Sequence, residues 1–506
     1  PANQTARQWQ VLTTASGAVW TDISGATATA YTTPSTTMAM NGYRYRVVIK
    51  NGTCVTVESN SALLTVKPQT TSTDMFRSQK SGDWNVAGTW ISSSDGGATW
   101  LNPATAKPTG SATSIEIMDT HTVKTWGSEG AKDLTVHSGA TLDLNASLTN
   151  SGVFKIEDNG TVNIKYTSSN LSTNLWAGTE MFDANSNIIV NSANKDNLFF
   201  AANSISSNPS TGALFGNLIL QPTAFNTTGN WTGIFPDGIY KLTSNDLTIN
   251  NSTTRNFTLA GEEFTVGRDF IVNLSSTGDI AADTGSIQIT INHDFIKNGT
   301  GTGRFRTNAG GTGIYNINGD LKVNAGTFSN NGSTAAATTS TINLKGNLSV
   351  ASGAVLTSNN TNTTYVANNV INFNGLVIQT INVVDQIINY ATINIKKDSY
   401  VKLINQNVSF ANASNITVES GATFDFGFKS DNTALNLITG SGTGQKFNLQ
   451  DGGTLKITSA DGIVDGGTSV ENGLYSGNAQ IGASAANRAF GTAATYHYIG
   501  KGTQQV

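Results

Sequence analysis

The residues with chemistry to offer are few and scattered. Glu262, Glu263 and Asp269 form one acidic patch, and Asp279 with Asp283 forms another. Two carboxylates facing each other across a groove can cleave a glycosidic bond, one as acid and one as base or nucleophile. Neighbouring strand residues point to opposite faces, so Glu262 and Glu263 need not converge, and solvated surface is the better reading of both patches. The four histidines, His121, His137, His293 and His497, are far apart. They lack a metal-ligand spacing such as His-Glu-x-x-His. Cys54 is the single cysteine, which rules out an internal disulfide framework and a cysteine-based zinc site. No phosphate-cradling loop or nucleophile elbow is present. The sequence assigns no catalytic, cofactor-binding or metal-ligating residue, and implies no cofactor.

Tryptophan is the remaining candidate. Trp84, Trp90 and Trp100 cluster, and Trp126, Trp176 and Trp231 follow. Aromatic faces suit sugar rings, so Trp84, Trp90 and Trp100 are the candidate glycan contacts. The competing reading is that they cover the open end of a repetitive core, which repeat proteins need; the cap is the favoured reading.

The elements that would position these residues are strands. The chain has 506 residues, of which 12% are charged, about half the usual share. Asn, Thr, Ser and Gly replace the missing charge. Apolar residues alternate with polar ones, as in Thr141-Leu142-Asp143-Leu144 and Thr161-Val162-Asn163-Ile164. Alternation at period two is the half-buried strand signal, and a disordered polar chain does not maintain it. The net charge of −4 leaves no basic footprint for nucleic acid. No apolar run approaches the ~18 residues of a membrane span. The opening Pro1-Ala2-Asn3 is not a secretory signal.

Repetition organises most of the chain. Residues 133–142, 347–356 and 415–424 share Asp/Asn, apolar, polar, Val, any, Ser, Gly, Ala, any, apolar. Each copy reads as a strand, a tight Ser-Gly turn and a second strand. Looser copies begin at Asp246, Asp269, Asp294 and Asp320, with Asn347 next, at intervals in the twenties. Such a period fits one coil of a solenoid and is too short for a propeller blade. The recurring Asp or Asn is expected at a coil corner, accepting backbone N–H bonds. A calcium ladder is the weaker alternative, because the calcium-binding nonapeptide pattern is absent. Residues 166–240 fit the repeat poorly and suggest an insertion or a wider coil.

The first 66 residues read differently. Asn51-Gly52 marks a hairpin between Tyr43–Ile49 and Cys54–Val57. The segment resembles the second half of an immunoglobulin-like sandwich. That resemblance would place Trp9 as the core tryptophan, Tyr45 as the tyrosine of the sixth strand and Val47 where antibodies carry a cysteine. The earlier strands are missing, so the chain is expected to begin inside a domain, and a partner of Cys54 would lie outside it. The alternative is a smaller complete β-module. Lys67 to Thr73 reads as a linker.

The expected fold is therefore all-β: a partial immunoglobulin-like module over 1–66, a linker over 67–75, a Trp-rich cap over 76–130, and a parallel β-helix over 131–506 that continues beyond the chain end. Three passages, Trp20 to Val66, Ser81-Gly82-Asp83-Trp84 to Trp100, and the Ser-Gly-Ala repeat, resemble large secreted surface proteins of Bacteroidetes. Those proteins join immunoglobulin-like modules to β-helical regions and leave by the type 9 secretion system. The sorting domain they carry at the far C-terminus is not in this sequence. The resemblance implies an extracellular, cell-surface location and a structural or adhesive role without catalysis. Surface glycans, other surface proteins and further copies assembling into fibres are the partners it implies. A polysaccharide-active enzyme and a glycan- or ice-binding module are the alternatives. An exposed flat ladder of Thr or aromatic residues would favour the binding module.

Overall fold

A computed structural model describes residues 5–13, 19–52, 55–166, 175, 178–191, 212–221, 239–251, 257–259, 263–276, 278–282, 286–306, 311–330, 338–357, 368–383, 387–389, 391–404, 408–411, 414–427, 438–441, 446–458, 470–471, 474–475 and 488–499. Cys54, Trp176, Trp231, Glu262 and Asp283 lie outside the described residues, as does the side chain of Asp279.

The first module is one antiparallel sheet of five strands. Thr5–Leu12 pairs along its length with Arg44–Asn51, with Trp9 opposite Val47. Trp9, Tyr31 and Tyr45 form a chain of rings with centroids 6.0 and 5.9 Å apart. Trp9 Nε1 donates to the Ala28 carbonyl at 3.1 Å. No described residue between 5 and 66 is fully buried. A sandwich buries the inner face of one sheet against another, and a single sheet is described here.

From Met75 onward the described strands stack as a parallel β-solenoid, with two or three described strands per coil. Glu263–Val266, Phe270–Leu274 and Gly278–Ala282 make one coil. The next coil begins with Ile287–Ile291, which stacks in parallel on Glu263–Val266. Each side of the prism is thus a sheet that grows along the axis. The long sheet has 16 strands, a second sheet 11, and a third 8; a leading sheet of 6 precedes the second. Alternation drives this arrangement: in Phe270–Leu274 and Ile287–Ile291 every other residue is buried. The buried residues of all coils form one continuous cluster from Phe76 to Ile457. In its middle Phe270, Phe295, Phe305, Phe328 and Tyr315 stack along the axis. Phe305 and Tyr315 lie parallel at 3.9 Å between centroids. Each such buried ring stabilises by roughly 1.5–3 kcal/mol.

The Ser-Gly-Ala signature is a turn, with one physical reason per residue. Gly139, Gly353 and Gly421 all have φ between 73 and 78°, the left-handed region that side chains disfavour. The following Ala140, Ala354 and Ala422 are fully buried, where the corner of the core holds a methyl group. Their N–H groups close the turn on the carbonyls of His137, Ala351 and Glu419, each at 3.0 Å. The copies do not occupy one phase of the coil, as a single repeated unit would require. Residues 415–418 lie in the second sheet and turn into the long sheet. Leu348–Val350 already lies in the long sheet and turns into the third. The motif encodes a corner geometry that the chain reuses at different corners. The Asp-apolar starts are the in-phase marker, since Leu247, Phe270, Phe295, Leu321 and Leu348 stack in register on the long sheet.

The N-terminal end of the solenoid is closed by tryptophan. Trp84 and Trp90 are fully buried, edge to face at 5.1 Å. Trp90 Nε1 donates to the Trp84 carbonyl at 2.9 Å, and Trp84 Nε1 to that of Pro108 at 3.3 Å. Trp90–Ser93 runs antiparallel to Met75–Ser78, which ends the leading sheet with a strand of opposite direction. Parallel pairing begins already with Met75–Arg77 against Ser114–Glu116, so residues 76–130 combine the cap with the first coils. Within 166–240 the long sheet stays in register through Ile188 and Leu218, and the coil from Asn187 to Asn217 takes 30 residues.

Candidate functional site

One line of coil corners carries a row of carboxylates. Each corner carboxylate or amide accepts the backbone N–H of its counterpart one coil later: Asp246 from Asp269 at 3.1 Å, Asp269 from Asp294 at 3.0 Å, Asp294 from Asp320 at 2.7 Å, and Asp320 from Asn347 at 2.8 Å. Asn347 continues the row to the N–H of Thr380 at 2.7 Å. The strand spacing of about 4.8 Å brings these aspartates close, and cations offset the repulsion. Arg268 pairs with Asp246, His293 with Asp269 and Lys322 with Asp294. The hydrogen bond to Asp269 and the nearby carboxylates raise the His293 pKa above its ordinary value.

Asp269, His293 and Asp294 lie close enough to share a metal ion. The donor set nonetheless fits a hydrogen-bond ladder better. Both carboxylates already accept backbone N–H groups, and Arg268 and Lys322 put positive charge beside them. Glu263 projects from the second sheet and accepts from Gln288 Nε2 at 2.8 Å. Asp269 is committed to its corner, so the expected patch of Glu262, Glu263 and Asp269 is divided between two places. Elsewhere His137 bridges Glu116 and Glu157, and His121 meets Ser78.

Trp84 and Trp90 lie within the cap, so neither can stack on a sugar, which corrects the expectation of glycan contact there. Trp100 is half-buried, with the Arg77 guanidinium 4.5 Å from its ring centroid. Among the described tryptophans Trp126 is the exposed one, at 62%, its Nε1 bonded to Asp83.

The outer face of the second sheet combines grooves with a row of amides. It carries two grooves. One of about 410 Å³ is lined by Ile239, Glu263, Ser286, Ile287, Gln288, Thr312 and Ile314. The other, of about 530 Å³, is lined by residues between Val370 and Ala489, including Thr392, Asn394, Asn415 and the cations Lys446 and Arg488. Between and along them runs a row of amides. Asn394 donates to Asn372 at 3.1 Å, Asn372 to Asn343 at 2.9 Å, Asn343 to Asn316 at 2.9 Å, and Asn316 to Thr290 at 3.4 Å. A second amide row, Asn324, Asn298, Asn273, Asn250 and Gln221, runs along the long sheet. Asn ladders of this kind reinforce stacked parallel strands. These residues stand out only once the coils are stacked. Their signal was an Asn between two apolar residues recurring once per coil, as in Tyr315-Asn316-Ile317, Ile342-Asn343-Leu344, Ile371-Asn372-Phe373 and Ile393-Asn394-Ile395.

One corner breaks the pattern. After Gly375 the chain extends outward and exposes Leu376, Val377 and Ile378 at 87, 72 and 59%. Buried Gln379 clamps its base, accepting from Gly375 N–H and donating to the carbonyls of Leu344 and Gly346.

A domain of unknown function (DUF8696) matches residues 2–68, the stretch that forms the antiparallel module. No curated protein matches the chain, and no solved structure matches it. Among the described residues no helix is long and apolar enough to cross a membrane.

Proposed function

We propose that this chain is a structural and adhesive segment of a bacterial cell-surface protein, a stiff rod that holds binding surfaces away from the cell. The observation that carries this reading is the unbroken parallel register of the long sheet over 16 strands, reinforced on its surface by corner carboxylates and amide rows that link coil to coil. Bending such a rod strains backbone bonds and side-chain ladders on several sides at once. At about 4.8 Å per coil the long sheet spans roughly 70 Å. The low charge supports contacts made at short range by hydrogen bonds, without long-range steering. An extracellular location, export by a type 9 system, an immunoglobulin-like first module and assembly into fibres belong to the same reading.

Adhesion under flow tests it. Microspheres coated with the full chain should be retained on surfaces bearing cell-wall or mucosal glycans, or on a lawn of the same chain, at shear that removes albumin-coated spheres. Equal removal of both from every surface would refute an adhesive role.

A further inference from the structure

We infer that the outer face of the second sheet is a track for an extended, uncharged polysaccharide lying along the solenoid axis. This inference rests on the adhesive reading and names the ligand class.

The charge pattern comes first. Between Gln288 and Thr417 the outward residues of this sheet are Thr, Asn, Gln, Ile and Val, with no charged side chain among the described strands. Charges stand at its two ends, with Lys241 and Glu263 at one and Lys446 and Arg488 at the other, so each groove carries charge at its outer end and the neutral stretch is the amide row between them. A nucleic acid, a uronate chain or a sulfated glycan would find no counter-charge along the middle. A neutral chain loses nothing there.

The amide row supplies recognition. Each of Asn316, Asn343 and Asn372 spends one N–H and one carbonyl lone pair on its neighbours in the row. A second N–H and a second lone pair remain on each amide. The ladder holds all of them in one orientation, so a donor–acceptor pair recurs about every 4.8 Å. Sugar hydroxyls are both donors and acceptors, and an extended glycan repeats them at a comparable interval. Beside this row, Ile314 and Val370 stand in register with Thr341 between them, giving apolar ground for the C–H faces of sugar rings.

The grooves supply shape. Their volumes of about 410 and 530 Å³ fall in the range of small-molecule sites, and both lie on this one face. Asn415 and Thr417, the outward residues of Asn415–Val418, line the larger groove. An added β-strand is a poorer occupant of the amide row, because the strands that carry Asn316, Asn343, Asn372 and Asn394 already pair on both sides; only Arg488–Phe490, at the end of the larger groove, has a single described partner.

Affinity electrophoresis of the full chain tests the inference. The neutral probes are hydroxyethylcellulose, xyloglucan, galactomannan and dextran; polygalacturonate and chondroitin sulfate are the charged comparators. At least one neutral glycan should retard the chain, and salt from about 0.05 to 0.5 M should change this little. N372A/N394A should weaken retardation about ten-fold or more. The control N273A/N298A, on the long sheet, should leave it intact. Circular dichroism and melting of both variants separate lost binding from lost fold. Retardation by none of the neutral glycans, preference for a charged one, or equal loss in both variants would overturn the inference. So would sedimentation showing that this face pairs two copies of the chain. Microspheres that adhere while no neutral glycan binds would sink the track and leave the adhesive reading standing.

Discussion

Removing one corner carboxylate should loosen the coil that follows it, and the substitution chosen should set by how much. Asp294 is buried and accepts the N–H of Asp320 at 2.7 Å and Lys322 Nζ at 2.5 Å. D294A leaves the Asp320 N–H without its acceptor, a cost of about 1–3 kcal/mol. It also removes a half-exposed ion pair of at most about 1 kcal/mol, and part of that is returned by relieving repulsion from Asp269 and Asp320. The expected net loss is about 2 kcal/mol. D294N retains an oxygen to accept the same N–H, so its loss should stay within about 1 kcal/mol. A stacked array need not unfold in one step, so the readout is hydrogen exchange by mass spectrometry on peptides spanning residues 287–323. Protection there should fall roughly 30-fold in D294A and several-fold at most in D294N. Equal loss in both would mean that charge pairing, not capping of the backbone, holds the corner, and the reasoning would fail.

Other outcomes follow from the same geometry. The raised pKa of His293 means that its contribution is fully present below the unfolded value near 6.5 and is lost as pH rises through the folded value; exchange in the coil of residues 287–306 should quicken over that range, and H293Q should abolish the dependence. Lys297 is the reverse case. It is fully buried with Nζ donating to the carbonyls of Asn298, Gly299 and Ala325, and burial lowers its pKa to about 8. The unfolded chain holds this proton more tightly, so local protection should rise between about pH 8 and 10.5 in the native chain and stay flat in K297M. At Gly353, with φ of 78° and open space around a built Cβ, G353A should cost about 1–2 kcal/mol of backbone strain, and G353N less. G267A should cost more, because its Cβ would stand 2.1 Å from the Ser244 carbonyl oxygen; a milder effect than that of G353A, by melting, would contradict the packing.

Much of the fold could be read in the residues because one periodicity governs it. Alternation assigned strands such as Thr141–Leu144 and Thr161–Ile164, which pair in parallel as expected. The spacing of Asp246, Asp269, Asp294 and Asp320 marked both the coil and the capped corner. What stayed hidden depends on which neighbour a residue meets across coils. The three Ser-Gly-Ala copies look equivalent because the local backbone is equivalent, yet the corner each turns is set by the strands before it. The amide rows left only the recurring apolar-Asn-apolar triplet as a trace, for the same reason: Asn316 and Asn343 are 27 residues apart and touch only after stacking. Trp84 and Trp90 could be read as exposed or buried, and the antiparallel return of Trp90–Ser93 decides for burial.

The most direct test of the rod is distance. Spin labels at Lys124, Ser349 and Lys456, in pairs and with Cys54→Ser, sit on outward positions of the long sheet. Lys124 and Lys456 are on strands thirteen steps apart, which at about 4.8 Å per step gives roughly 60 Å. Ser349 divides that interval into nine and four steps. Pulsed electron–electron resonance should give three narrow distributions, with the two shorter distances adding to the longest. Broad distributions, or a longest distance well short of the sum, would show a chain that bends or collapses, and the account of a stiff projecting rod would be wrong.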